Sequence, residues 1–119
     1  MSFLDNLEKG EELTADHQRR EMEHASALAA APWAEQLKTG PWTKALIDLS
    51  AAASHRLRAK LYLAWIGTTL RLEVRERRLE LRPTPAGIVA VVLSDGKELH
   101  SEPVVETNPQ GLIDRWLSA

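Results

Sequence analysis

Between residues 57 and 105 apolar side chains recur at every second position, in short runs separated by only a few residues. Leu57, Ala59, Leu61, Leu63 and Trp65 alternate with Arg58, Lys60 and Tyr62. After Gly67-Thr68, Leu70, Leu72 and Val74 alternate with Arg71, Glu73 and Arg75, and Leu79 and Leu81 with Glu80 and Arg82. Period two is the signature of a strand with one buried face. Ile88–Leu93 is an unbroken apolar run that suits a central strand, and Leu99 to Val105 returns after it. Ser94-Asp95-Gly96-Lys97 between them is a hairpin turn, because Asp-Gly tolerates the positive φ that such turns require. Pro83-Thr84-Pro85 is expected to end the preceding strand, since proline has no N–H for a ladder. Strands joined so closely must be antiparallel, as a parallel pair needs a long crossover. The reading is a meander of four to five strands. One face carries Leu70, Leu72, Val74, Leu79 and Leu81 under helices, and the other is charged and wet.

The first half reads as helix. Phe3, Leu4 and Leu7 form a short apolar stripe that Ser2 could cap. Residues 8–24 offer only Leu13, Ala15 and Met22 as apolar side chains, the composition of a solvated helix or a mobile arm. Met22, Ala25, Ala29 and Trp33 then fall in helical register. Pro32-Trp33 and Pro41-Trp42 each open a Pro-Trp-x-x-x-Leu pattern, ending at Leu37 and Leu46. Proline favours the first position of a helix, so both are read as helix starts, with Gly40 as a stop between them. Trp42, Ala45, Leu46, Leu49, Ala52 and Ala53 make one continuous stripe. At the far end Asn108 caps a closing helix, with Pro109 in its first turn and Leu112, Ile113, Trp116 and Leu117 on one face. The fold class expected is α+β: amino-terminal helices, the meander sheet, and a carboxy-terminal helix packed on it. Residues 1–21 form an acidic arm or solvated helix, and 22–119 a single domain.

Four tryptophans against one phenylalanine and one tyrosine suggest anchors that fasten separate elements to one core, each needing a partner for its indole N–H. The absence of cysteine removes disulfides and thiolate chemistry and suits a reducing compartment. Asp5 and Glu8 stand where a signal peptide carries positive charge, and no apolar run approaches the roughly 18 residues of a membrane span. The expected location is the cytoplasm, with no membrane partner.

Charge is uneven. Residues 1–30 hold seven acids and three bases, net −4, whereas 56–82 hold eight bases and three acids, net +5. Arg71, Arg75 and Arg82 are expected on the wet face, with Arg77 and Arg78 at the tight turn. These five are the candidate polyanion-binding residues. Nucleic-acid platforms add exposed aromatics for stacking, and residues 69–82 contain none. Glu73 and Glu80 interleave with the arginines, so cross-strand ion pairs are the plainer reading and nucleic acid is not the expected partner.

Chemistry is thinly signalled. Glu21-Met22-Glu23-His24 spells Glu-x-x-His, and His17, Glu21 and His24 share one helical face. A di-iron site of that kind needs four helices and a second such motif, so no metal is expected. Ser94, Asp95, His100, Ser101 and Glu102 contain the residue types of a catalytic triad, but no nucleophile elbow surrounds either serine. His55 reads as a residue at a helix end. The six glycines fall singly, so there is no phosphate loop. No catalytic residue and no cofactor is expected. The favoured function is a non-enzymatic domain that self-associates or docks to another protein. Polyanion binding through the arginines is the alternative, and a small-ligand pocket between helices and sheet is the third.

Overall fold

The computed structural model describes the backbone of residues 3–105 and 107–118 and side chains from Arg19 onward. The fold is α+β. Helix α1 (Phe3–Thr39) and α2 (Pro41–Arg56) precede strands β1 (Leu61–Ile66), β2 (Thr69–Val74), β3 (Arg77–Thr84), β4 (Gly87–Ser94) and β5 (Lys97–Pro103), and α3 (Gln110–Ser118) closes the chain. The five strands form one sheet in sequential order, every pair antiparallel.

The turns set the registers. Gly67, at φ 61, opens the two-residue β1–β2 turn, and Asp95 and Gly96, at φ 52 and 79, make the β4–β5 turn. Leu63, Leu72, Leu79 and Val92 then line up across four strands, as do Trp65, Leu70, Leu81 and Ala90. This is the helix-covered face. Leu70, Leu72, Leu79, Leu81, Ala90 and Val92 are fully buried there, with Leu37 of α1, Leu46 of α2, and Ile113 and Trp116 of α3. Complete burial of side chains this size stabilises by roughly 1.5–3 kcal/mol each.

Three boundaries differ from the sequence reading. Pro32 does not start a helix; it lies inside α1. Its ring removes the hydrogen bond to the Leu28 carbonyl. Both Pro32 and Leu28 are exposed, so water can serve that carbonyl, while Trp33 and Leu37 pin the helix to the core. Gly40 ends it as expected, its N–H donating to the Gln36 carbonyl at 2.8 Å. A Cβ at Gly40 would collide with that same oxygen, which is why the link is glycine. Second, β1 begins at Leu61 and not at Leu57. Arg58 takes φ 53, and Ala59 N–H returns to the Ser54 carbonyl at 3.0 Å, a Schellman-type end to α2 that uses up residues 57–59. Third, β3 continues through Pro83. The β2–β3 pairing stops at Leu70↔Leu81, so on that side Pro83 faces no strand and its missing donor breaks no ladder bond.

The closing helix starts as anticipated: the Gln110 N–H donates to Asn108 Oδ1 at 2.9 Å. Trp116 is fully buried, yet its indole N–H and that of Trp42 have no partner among the described residues. Ring burial outweighs the unpaired donor, which costs about 1–3 kcal/mol. Side chains of the Phe3, Leu4 and Leu7 stripe and of His17 lie outside the described residues. No described helix is long and apolar enough to cross a membrane.

Candidate functional site

The open face of the sheet carries the arginines. Arg71 pairs with Glu80 and Glu73 with Arg78 across β2 and β3, and Arg82 follows two residues after Glu80 on the same face. Glu80 is the hub. It is 6% exposed, and its Oε1 accepts from Arg82 Nη2 at 2.6 Å and Nε at 3.1 Å. Its Oε2 lies 3.3 Å from Arg71 Nη2 and 3.9 Å from Arg78 Nη1. Arg78 also reaches Glu73 Oε1 at 3.4 Å. Burial pushes the Glu80 carboxyl up. The Arg82 hydrogen bonds and the charges of Arg82, Arg71 and Arg78 outweigh that and hold it below its ordinary value.

The five sequence-selected arginines therefore do not act as one patch. Arg71, Arg78 and Arg82 share the open face, tied to Glu80 and Glu73. Arg75 leaves the sheet, because the β2–β3 turn is Arg75-Glu76 and not Arg77-Arg78. Its Nη2 instead donates to the Leu57 carbonyl at 2.8 Å, bracing the link from α2 to β1. Arg77, opposite Val74 and Ser94, has the parity of the covered face. On this face the three guanidinium groups are met by the carboxylates of Glu73 and Glu80. One aromatic, Tyr62 on β1, shares it, and it sits across from Glu73.

The other candidates do not assemble. Glu21 and His24 are exposed on α1, and among the described residues no three His, Cys, Asp or Glu side chains come together as a metal site. His100 and Glu102 share the covered-face parity of edge strand β5, while Ser101 points the other way. Glu102 Oε1 accepts from Arg115 Nε at 2.9 Å, which ties α3 to the sheet. A cavity of about 690 Å³ opens where the α1–α2 junction meets the β3–β4 turn and the segment after β5. Trp33, Trp42, Ile88 and Val104 line it. Two hydroxyls on its wall are already engaged: Thr43 donates to the Leu37 carbonyl, and Thr84 donates to the Gly87 carbonyl at 2.7 Å. Ligand sites need a few convergent polar groups, and the polar side chains left on this largely apolar wall are Gln36 and Thr107.

The feature that stands out is an edge of the sheet. Among the described residues strand β1, Leu-Tyr-Leu-Ala-Trp-Ile, pairs only with β2. Tyr62 is 59% exposed, Leu63 42%, Trp65 38% and Ile66 49%, so β1 is bare on both faces as well as along its outer backbone. The opposite edge, β5, is built otherwise. It carries Lys97, Glu98, His100 and Glu102, ends on Pro103, and is bulged against β4 at Val92/Leu93. Charge, proline and bulges are the devices that keep an edge from pairing with another chain. β5 has all three, and β1 has none.

Trp65 thus departs from the reading of the tryptophans as core anchors. The signal was present: six consecutive apolar residues leave no polar face, and the first strand of a meander falls at the edge. Beside Trp65 and Gly67, α1 passes over the end of the β1–β2 hairpin, and Ala27, Ala31 and Ala34 line a cleft of about 530 Å³ there. No family model, curated protein or solved structure matches this chain.

Proposed function

We propose that this protein is a non-enzymatic association domain that works through β1, by self-association or by docking to another protein. The observation that carries the reading is the contrast between the two edges of one sheet. An uncharged edge strand with no proline and no bulge is a template for pairing, and one with four large exposed apolar side chains is costly to leave in water. Strand addition is a recognised binding mode, in which main-chain hydrogen bonds supply affinity and alternate side chains supply specificity. The paired arginines and the largely apolar wall of the cavity weigh against polyanion binding and small-ligand binding. A chain without cysteine suits the reducing cytoplasm, which is where we place this activity.

The test is light scattering over a concentration series with the full chain and a Leu63→Lys, Ile66→Lys variant, which puts one lysine on each face of β1. The unmodified protein should associate, and the variant should be monomeric with a similar melting temperature. Association that survives both lysines would refute the role of β1.

A further inference from the structure

Resting on that reading, we infer that the partner of β1 is the β1 of a second copy, paired antiparallel about a two-fold axis through Leu63, so that two five-stranded sheets become one of ten strands. The backbone sets which residues can pair. The β1–β2 hairpin closes on the two-residue turn Gly67-Thr68, with Ile66 opposite Thr69. Ile66, Ala64 and Tyr62 therefore spend their N–H and C=O groups on β2, and Leu61, Leu63 and Trp65 direct theirs outward.

A two-fold axis perpendicular to the sheet keeps each face on its own side, so residues must pair with partners of equal parity. Centred on Leu63, this sets Leu61 against Trp65, Leu63 against Leu63, and Trp65 against Leu61. Three outward pairs give roughly six main-chain hydrogen bonds. Centred on Ala64, Leu61 would fall opposite Gly67 in the turn, and bonds would be lost. In the Leu63 register the covered face matches aliphatic to aromatic, and the open face sets Tyr62 against Ala64, large against small. Neither face sets like charges opposite one another, the pairing that destabilises a ladder.

The ends of the strand complete the match. Leu57 is 40% exposed just before β1, between the exposed Arg56 and Arg58. At the other end lies the alanine-lined cleft beside Trp65, whose wall carries Glu23, Glu35 and Lys38 of α1, two acids against one base. An antiparallel pair brings each copy's basic, leucine-bearing end to the other copy's alanine-lined cleft, which is net acidic by one charge. Such reciprocity is what a two-fold interface requires. The four exposed side chains of β1 leave on the order of 400 Å² in water, taking roughly 200 Å² for a large side chain. That is about half of the roughly 800 Å² per partner of a stable interface, and the two end contacts supply the rest.

Because the chain has no cysteine, single cysteines report the register in the full-length protein. Leu63→Cys should form a disulfide-linked dimer on mild oxidation, since paired Cα atoms on an antiparallel ladder lie about 5.5 Å apart, within disulfide reach. Tyr62→Cys and Ala64→Cys should not link, being diagonal to their own copies at about 7–8 Å. Arg56→Glu with Arg58→Glu should raise the dimer Kd about tenfold or more. Linkage through Ala64→Cys and not Leu63→Cys overturns the register. A protein that is dimeric while none of the three links overturns the β1 seam but leaves association through another surface. A protein that is monomeric at every concentration and binds no partner overturns the proposed function itself.

Discussion

Replacing Glu80 by glutamine tests whether the open face is an internal ion-pair network. The substitution keeps shape and volume and removes one charge. Glu80 is 6% exposed and accepts from Arg82 at 2.6 and 3.1 Å, with Arg71 at 3.3 Å. Hydrogen bonds to charged groups contribute about 1.5–3 kcal/mol each, and stripping one partner from a buried pair costs about 3–5 kcal/mol. Here the arginine side chains are 28–46% exposed, so water can take up the stranded charge. A net loss of about 2 kcal/mol follows, read as a lower urea midpoint at unchanged m. The pH dependence has a definite sign. The folded Glu80 carboxyl lies below its ordinary value, so its contribution is complete above the unfolded pKa of about 4.3 and fades as pH falls from there through the lower folded value. The gap between the unmodified protein and Glu80→Gln should be constant near neutrality and close only in acid. A gap under about 0.5 kcal/mol, or one that does not change with pH, would refute the network. A more stable variant would mean that burying the carboxylate costs more than its partners return.

Trp116→Ala should cost about 3–5 kcal/mol in urea unfolding, whereas Trp116→Phe, which keeps most of the ring and removes the unpaired N–H, should stay within about 1.5 kcal/mol. Asn108→Ala should lower stability by about 1 kcal/mol through loss of the α3 cap, measured the same way. A labelled single-stranded oligonucleotide should show no submicromolar anisotropy change at physiological salt; tight binding abolished by Arg71→Ala with Arg82→Ala would restore the polyanion reading.

The order and pairing of the strands were legible because the turns were: Gly67-Thr68 and Asp95-Gly96 announce the positive φ that fixes register, and period two says which residues face in. Helix ends were less legible. Proline at a first turn and proline inside a helix look alike in sequence, and only the burial of Trp33 and Leu37 carries α1 through Pro32. The positions of the arginines hung on a single turn. With Arg75-Glu76 as the corner, Arg75 leaves the sheet and Arg78 joins Arg71 and Arg82, a change that residue counts alone do not reveal. The glutamates among the arginines were readable as cross-strand partners. The convergence of three arginines on Glu80 was not, because it depends on side chains from two strands meeting over one buried carboxyl.

The bare strand follows from how far the helices can reach. Helices pack about 8–10 Å apart and strands about 4.8 Å apart, so each helix covers roughly two strands. Helix α1 lies chiefly over β3 and β4, α3 meets β3, and α2 reaches β1. On β1 only Leu61 packs against the core; Leu63 and Trp65 fall progressively farther along the strand and stay 42% and 38% exposed. Extending the helical layer could cover those two side chains. It would do nothing for Tyr62 and Ile66 on the opposite face, or for the outward N–H and C=O groups of Leu61, Leu63 and Trp65. Another strand laid alongside pairs that backbone and sets side chains against both faces of β1 at once. A helix or a small ligand would cover one face and leave the backbone unpaired, which is why we propose strand addition as the use of this edge.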